Sequence, residues 1–144
     1  MSRALAVACV GKNAGARIAQ PMALTVLHAE DDRIVADAVR QMLEAEGWRV
    51  VTCADGKAAL SELTGPAHYD LLVTDNELPG VGGIDLICCA YMLRHRARLR
   101  VVMLTASDCE REARRVGVDA YLRKPEGVGE LVTTVRRLLL GRGA

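Results

Sequence analysis

The chain has 144 residues, a formal net charge of +1 and 51% hydrophobic residues. That length suits one domain with a real core, the composition excludes a disordered chain, and the charge gives no global pull toward nucleic acid or a membrane surface. No apolar run approaches the ~20 residues of a membrane span, and with no Phe and a single Trp the core is expected to be aliphatic.

Residues 1–22 differ from the rest. An apolar run, Ala4 to Val10, follows Arg3 and gives a faint secretory pattern, barely at the ~7-residue minimum for such a core. A flexible extension, or a translation start at Met22, is the expected reading, with a domain over 23–141 and a short tail at 142–144. Leu24 to Ala29 is the first predicted strand and runs straight into Glu30-Asp31-Asp32. Ile34, Val35, Ala38, Val39, Met42 and Leu43 then recur at helical spacing, and Gly47 closes that helix. Arg49 to Cys53 reads as a second strand, and Asp55-Gly56 turns into a short helix over Lys57 to Leu63.

The third strand holds consecutive apolar residues, Leu71, Leu72 and Val73, as in a parallel strand covered on both faces. It ends on Asp75, and Pro79-Gly80 and Gly82-Gly83 force a turn. Ile84 to Leu93 is a predicted helix and Arg100 to Leu104 a fourth strand, followed by Thr105-Ala106-Ser107-Asp108. Ser107 or Asp108 is expected to cap the next helix, which Gly117 stops. Asp119 to Leu122 is a fifth strand, Arg123-Lys124-Pro125 breaks it, and Glu130 to Leu140 is expected to form the last helix, with no output domain expected after it.

Five strand–helix alternations imply an α/β fold with a parallel sheet and helices on both faces. The strand order 2-1-3-4-5, doubly wound and flavodoxin-like, is adopted by analogy. The five cysteines, Cys9, Cys53, Cys88, Cys89 and Cys109, include no CxxC, so buried free thiols in a reducing cytoplasm are expected. His28 reads as a satisfied core histidine, and His95, within Arg94-His95-Arg96-Ala97-Arg98, as part of a solvated helix end.

In a parallel sheet the carboxyl ends of the strands lie side by side, where open α/β sheets keep their sites. Here they bring Glu30 and Asp31, Asp75, Thr105 and Lys124 to one edge. Each residue alone has an ordinary structural explanation: first-turn acids on a helix dipole, a turn cap, a loop hydroxyl, a solvated lysine. Together, at the ends of successive strands, they form a far more specific pattern.

With Glu30-Asp31, Asp75 within Asp75-Asn76-Glu77-Leu78-Pro79-Gly80-Val81-Gly82-Gly83, Thr105-Ala106, and Tyr121-Leu122-Arg123-Lys124-Pro125, the chain from about Leu24 to Leu140 resembles the receiver domain of two-component response regulators. The resemblance implies that Asp75 is a phosphoacceptor and that Glu30 and Asp31, with Asp75 and the backbone carbonyl of Glu77, bind Mg²⁺. It implies further that Thr105 and Lys124 assist phosphoryl transfer, and that Thr105 and Tyr121 switch. The implied donor is a phosphohistidine of a histidine kinase or a histidine phosphotransfer protein. The implied setting is cytoplasmic, with output through docking to another protein and a homodimer left open.

The chemistry agrees. Crowded carboxylates raise one another's pKa values, and a divalent cation and the Lys124 ammonium would offset that repulsion. An all-oxygen donor set without His or Cys favours Mg²⁺. One hydroxyl contact to a phosphoryl group is worth ~1.5–3 kcal/mol, against ~5.5 kcal/mol to drive a two-state element from 1% to 99%, so Lys124 and loop contacts must share the switching. Glu126 stands where many receivers carry an aromatic, which bears on the usual dimer face between the fourth and fifth helices. Glu77, beside the acceptor, is expected to tune the phosphate lifetime.

Arg111, Arg114, Arg115, Arg136 and Arg137 suggest a partner-docking face, and direct DNA binding is not expected because no recognition motif accompanies them. Two rival readings remain. One is a pseudo-receiver, a protein-interaction module that takes no phosphate. The other is a haloacid-type phosphatase, for which Glu77 has the right offset but whose cap domain and surrounding motifs are missing.

Overall fold

The computed structural model describes residues 23–141. Five parallel strands form one sheet: β1 (Thr25–Ala29), β2 (Arg49–Cys53), β3 (Leu71–Thr74), β4 (Arg100–Thr105) and β5 (Ala120–Arg123), in the spatial order 2-1-3-4-5. The helices between and after them are α1 (Arg33–Glu44), α2 (Gly56–Thr64), α3 (Gly83–Tyr91), α4 (Glu110–Val116) and α5 (Glu126–Val135), the last continuing as a wider π-type turn over Arg136–Leu140. The parallel sheet expected from the strand–helix alternation is observed, and so is the doubly wound, flavodoxin-like order adopted by analogy.

Side-chain alternation along each strand divides the core into two layers. Leu27, Leu72, Val101, Met103 and Tyr121 face α2, α3 and α4, while Val26, Leu71, Val73, Val102 and Leu122 face α1 and α5. Both faces are covered, which is why β3 reads as an unbroken apolar run.

Local differences from the predicted elements have identifiable causes. α5 begins at Glu126, one turn earlier than expected, because Gly127 lies where a Cβ would stand 2.8 Å from the Leu122 Cβ; glycine there lets the helix press onto β5. On α1, Ala36, Val39 and Leu43 are buried, whereas Ile34 is 82% exposed, so the inward stripe is narrower than the apolar spacing suggests. Neither Ser107 nor Asp108 caps α4, whose N-cap position is Cys109, without a side-chain hydrogen bond. Gly47 and Gly117 close α1 and α4 with positive φ.

Among the described cysteines, Cys53 and Cys109 are buried, but Cys88 and Cys89 are exposed, contrary to expectation. α3 buries Gly83, Leu86, Ile87 and Ala90, which turns positions 88 and 89 outward. No helix among the described residues is long and apolar enough to cross a membrane.

The segment Arg94–Arg96 is a 3₁₀ turn and not a solvated helix end. Arg96 is buried, donating from Nε to the Leu63 carbonyl at 3.0 Å and from Nη2 to the carbonyls of Glu62 and Gly65 at 3.1 Å each. The His95 Nε2 adds 3.0 Å contacts to the Leu63 and Gly65 carbonyls. These groups meet carbonyls at the C-terminus of α2, and the Arg96 guanidinium places positive charge at the negative end of its dipole. The Arg96 guanidinium also lies 5.3 Å from the Tyr69 ring centroid. Arg96→Ala would remove a buried, charged donor shared by three carbonyls, leaving them only the Gly65 amide and His95; urea unfolding is expected to show a loss of about 2–3 kcal/mol.

Candidate functional site

The site lies at the carboxyl edge of the sheet, where β1, β3, β4 and β5 end. Asp32 accepts from the amides of Ile34 and Val35 at 2.9 and 3.3 Å and so caps α1. That cap frees the two preceding acids for other contacts. Glu30 is buried, and one of its oxygens accepts from the Asp32 amide at 3.1 Å. Asp31 is exposed. One carboxylate oxygen each from Glu30, Asp31 and Asp75 lie within 4.8 Å of one another.

Asp75 sits one residue beyond β3. Its Oδ1 accepts from the amides of Asn76 at 2.6 Å and Glu77 at 3.2 Å, and its Oδ2 accepts from the Lys124 Nζ at 3.0 Å. The Asp75 side chain keeps 8% of its surface exposed, so it is recessed but open to the cleft. The loop after it is shaped by two close approaches. A Cβ on Gly83 would stand 2.2 Å from the Asp75 carbonyl oxygen, and one on Gly56 would stand 1.7 Å from the Val81 carbonyl oxygen. The Gly56 amide donates to Pro79 at 3.0 Å, pinning the loop to the start of α2. Asn76 completes the turn, its Oδ1 accepting from the Ile84 amide at 3.2 Å and its carbonyl from Gly83 at 3.0 Å.

Lys124 follows β5, with its amide donating to the Thr105 carbonyl at 3.0 Å. Its Nζ donates to Glu30 Oε1 at 2.7 Å and to Asp75 Oδ2 at 3.0 Å. Burial alone would pull the ammonium down, but the hydrogen bonds to Glu30 and Asp75 prevail and hold it above the ordinary lysine value. Burial raises the Glu30 carboxyl above its ordinary value, and Lys124 and the Asp32 amide offset part of that rise.

Thr105, at the end of β4, is buried, and its Oγ1 accepts from the Ser107 amide at 3.1 Å. Tyr121 is turned inward. Its hydroxyl donates to the Ser107 carbonyl at 2.5 Å and accepts from the Cys109 amide at 3.2 Å. Glu77 is exposed, its Oε2 accepting from the Ser107 Oγ at 2.7 Å. Ser107 therefore touches Thr105, Tyr121 and Glu77 together. Only its capping potential was readable beforehand, because its partner Glu77 is 30 residues away in the chain.

The family model for the response regulator receiver domain matches residues 26–136. The chain belongs to the response regulator receiver family. This receiver domain is 40% identical over 118 residues to the transcriptional regulatory protein CutR of Streptomyces coelicolor, covering 80% of the chain and 53% of CutR. It is 34% identical over 125 residues to the alkaline phosphatase synthesis transcriptional regulatory protein SphR of Synechococcus elongatus, covering 79% of the chain and 48% of SphR. The chain thus spans about half the length of these curated relatives.

Among solved structures, the receiver is similar to the chemotaxis response regulator CheY4 of Vibrio cholerae, with TM-score 0.75 and 27% identity over 82% of this chain and 100% of that one. It is also similar to the receiver domain of the sensor histidine kinase PA1611 of Pseudomonas aeruginosa, with TM-score 0.73 and 25% identity over 81% of this chain and 97% of that one. That structure carries a magnesium ion coordinated in its active-site cleft.

His28, inside β1, is a core residue but not a satisfied one: its buried Nδ1 has no hydrogen-bond partner among the described residues. Burial first, and the Lys124 charge second, lower its pKa to about 4, against an opposing pull from Asp75. An unfolded histidine titrates near ~6.5, so between those values the unfolded chain binds the extra proton. The stability due to a neutral His28 is complete above about pH 6.5 and falls as the pH drops toward 4. Urea unfolding in EDTA at pH 7.5 and at pH 4.5 is expected to show about 2–3 kcal/mol more acid loss in the parent than in His28→Val.

Proposed function

We propose that this receiver accepts a phosphoryl group on Asp75 from a phosphohistidine of a sensor kinase or a histidine phosphotransfer protein, and that the modified surface then docks a partner protein. The observation that carries this reading is the convergence of Glu30, Asp31 and Asp75 within 4.8 Å, with Lys124 bonded to two of them. The pseudo-receiver alternative has no comparable support, since Glu30, Asp31, Asp75 and Lys124 all reach the cluster.

The donor set fits Mg²⁺. It is all oxygen, carboxylates outnumber the single ammonium, and Asp31 is open to solvent. Glu30, Asp31, Asp75 and the Glu77 backbone carbonyl would hold the ion. When bound, it supplies positive charge for the phosphoryl oxygens and relieves the repulsion among the carboxylates.

The chain's own groups do the rest. Two backbone amides and Lys124 fix the Asp75 carboxylate, so one of its oxygens can approach phosphorus in line. An O–P bond forms, the P–N bond to the donor imidazole breaks, and the imidazole leaves with its electron pair and takes up a proton. Lys124 meets charge on the transferring oxygens. The Thr105 hydroxyl, which now accepts from Ser107, still has its own proton to donate to a phosphoryl oxygen. Movement of Thr105 toward that oxygen would draw on the Ser107 amide and, through Ser107, on the inward Tyr121. Hydrolysis of the acyl phosphate would reset the domain.

Incubation with acetyl phosphate and Mg²⁺, read by intact mass, is expected to add one labile phosphoryl group. Asp75→Asn should abolish it, and Lys124→Ala should slow it roughly 100-fold. A parent protein that gains no phosphoryl group would instead indicate a pseudo-receiver, and continuous turnover of acetyl phosphate without an isolable adduct would indicate a phosphatase.

A further inference from the structure

Ser107 lies where two loops meet. Its amide donates to Thr105 Oγ1, its carbonyl accepts from the Tyr121 hydroxyl, and its own hydroxyl donates to Glu77 Oε2 at 2.7 Å. Backbone contacts fix the first two in place, one to a fully buried threonine and the other to a buried tyrosine. The third is a side-chain contact to a carboxylate on the acceptor loop, two residues beyond Asp75. A hydroxyl-to-carboxylate bond of this length is charge-assisted and strongly directional.

We propose that Ser107 is a positioning residue that latches the Glu77 carboxylate away from the acceptor and ties the acceptor loop to the Thr105–Tyr121 pair. This inference rests on the reading of Asp75 as phosphoacceptor. The physical case concerns charge. Glu30, Asp31 and Asp75 already converge, and Lys124 is the cation bonded among them. The Glu77 amide donates to Asp75 Oδ1, so the Glu77 side chain leaves the backbone at the acceptor itself. Without a partner at Ser107, that carboxylate is free to turn over the cleft. There it repels an incoming phosphodonor anion and competes for the Lys124 ammonium.

The same contact explains how the acceptor loop and the β4–α4 loop sense each other. A dianionic phosphoryl group on Asp75 repels Glu77 and draws on the Thr105 hydroxyl, so both of its effects act on Ser107. Repulsion keeps Glu77 at the latch while the Thr105 contact is pulled from the other side.

The test uses Ser107→Ala, Ser107→Thr, Glu77→Gln and the Ser107→Ala/Glu77→Gln double variant. In the unmodified, metal-free protein, amide spectra are expected to show shifts at Asn76 and Glu77 in Ser107→Ala but not in Ser107→Thr, which keeps the hydroxyl. With acetyl phosphate and Mg²⁺, Ser107→Ala should be phosphorylated about three- to tenfold more slowly, and the double variant should return to within about twofold of Glu77→Gln. Unchanged amide shifts at Asn76 and Glu77, or an equal slowing by Ser107→Ala in the Glu77→Gln background, would overturn the latch. If no variant and no parent protein takes phosphate, the phosphoacceptor reading fails, while the metal-free spectra still decide whether the latch exists.

Discussion

The Lys124 ammonium holds the site together. It arrives from the end of β5, reaches past β4, and bonds to carboxylates at the ends of β1 and β3. Its side chain is 14% exposed, and those of Glu30 and Asp75 are 1% and 8% exposed. Like charges this close and this dry repel strongly, and a single long, flexible cation is the group that offsets them. Three strand ends are thereby fixed to one another by one side chain. Removing it would leave buried carboxylates unpaired, a harsher change than losing a surface ion pair.

The second constraint is the room available around Asp75. The loop after Asp75 folds back so tightly that neither Gly56 nor Gly83 has space for a methyl group. This packing sets the two amides that bond to Asp75 Oδ1. α2 holds the loop at one end through Gly56 and is itself capped at the other by Arg96 and His95. The loop after Asp75 therefore leans on a helix restrained at both ends, while the Ser107 side faces it through polar contacts that a new charge can rearrange. Rigid support on one flank and polar, breakable contacts on the other suit the proposed role, in which a covalent change at Asp75 is registered without loss of the fold.

The arginines divide along similar lines. Arg96 is structural. Arg100 pairs with Asp119, Arg114 with Glu110, and Arg136 with Glu46. Exposed pairs of this kind contribute little to stability, so positive charge on the helices serves the surface more than the fold.

By itself the sequence determined the sheet, because β3's unbroken apolar run and the alternating helical stripes follow from covering both faces of a parallel sheet. It also determined the acids and the lysine of the site, since side chains at the carboxyl ends of parallel strands must share an edge. It misjudged Ile34, Cys88 and Cys89, whose exposure depends on how far each helix is rotated against its layer. It misread His28, whose alternation placed it in the core but could not show that Nδ1 would lack a partner among the described residues. Arg96, Asn76 and Ser107 became meaningful only in the tertiary structure. Arg96 and Ser107 meet carbonyls or carboxylates some thirty residues away, and Asn76 reaches across a turn whose shape two glycines set. Local patterns fix which face a residue takes, but the partner of a polar group is chosen by chain segments that only folding brings together.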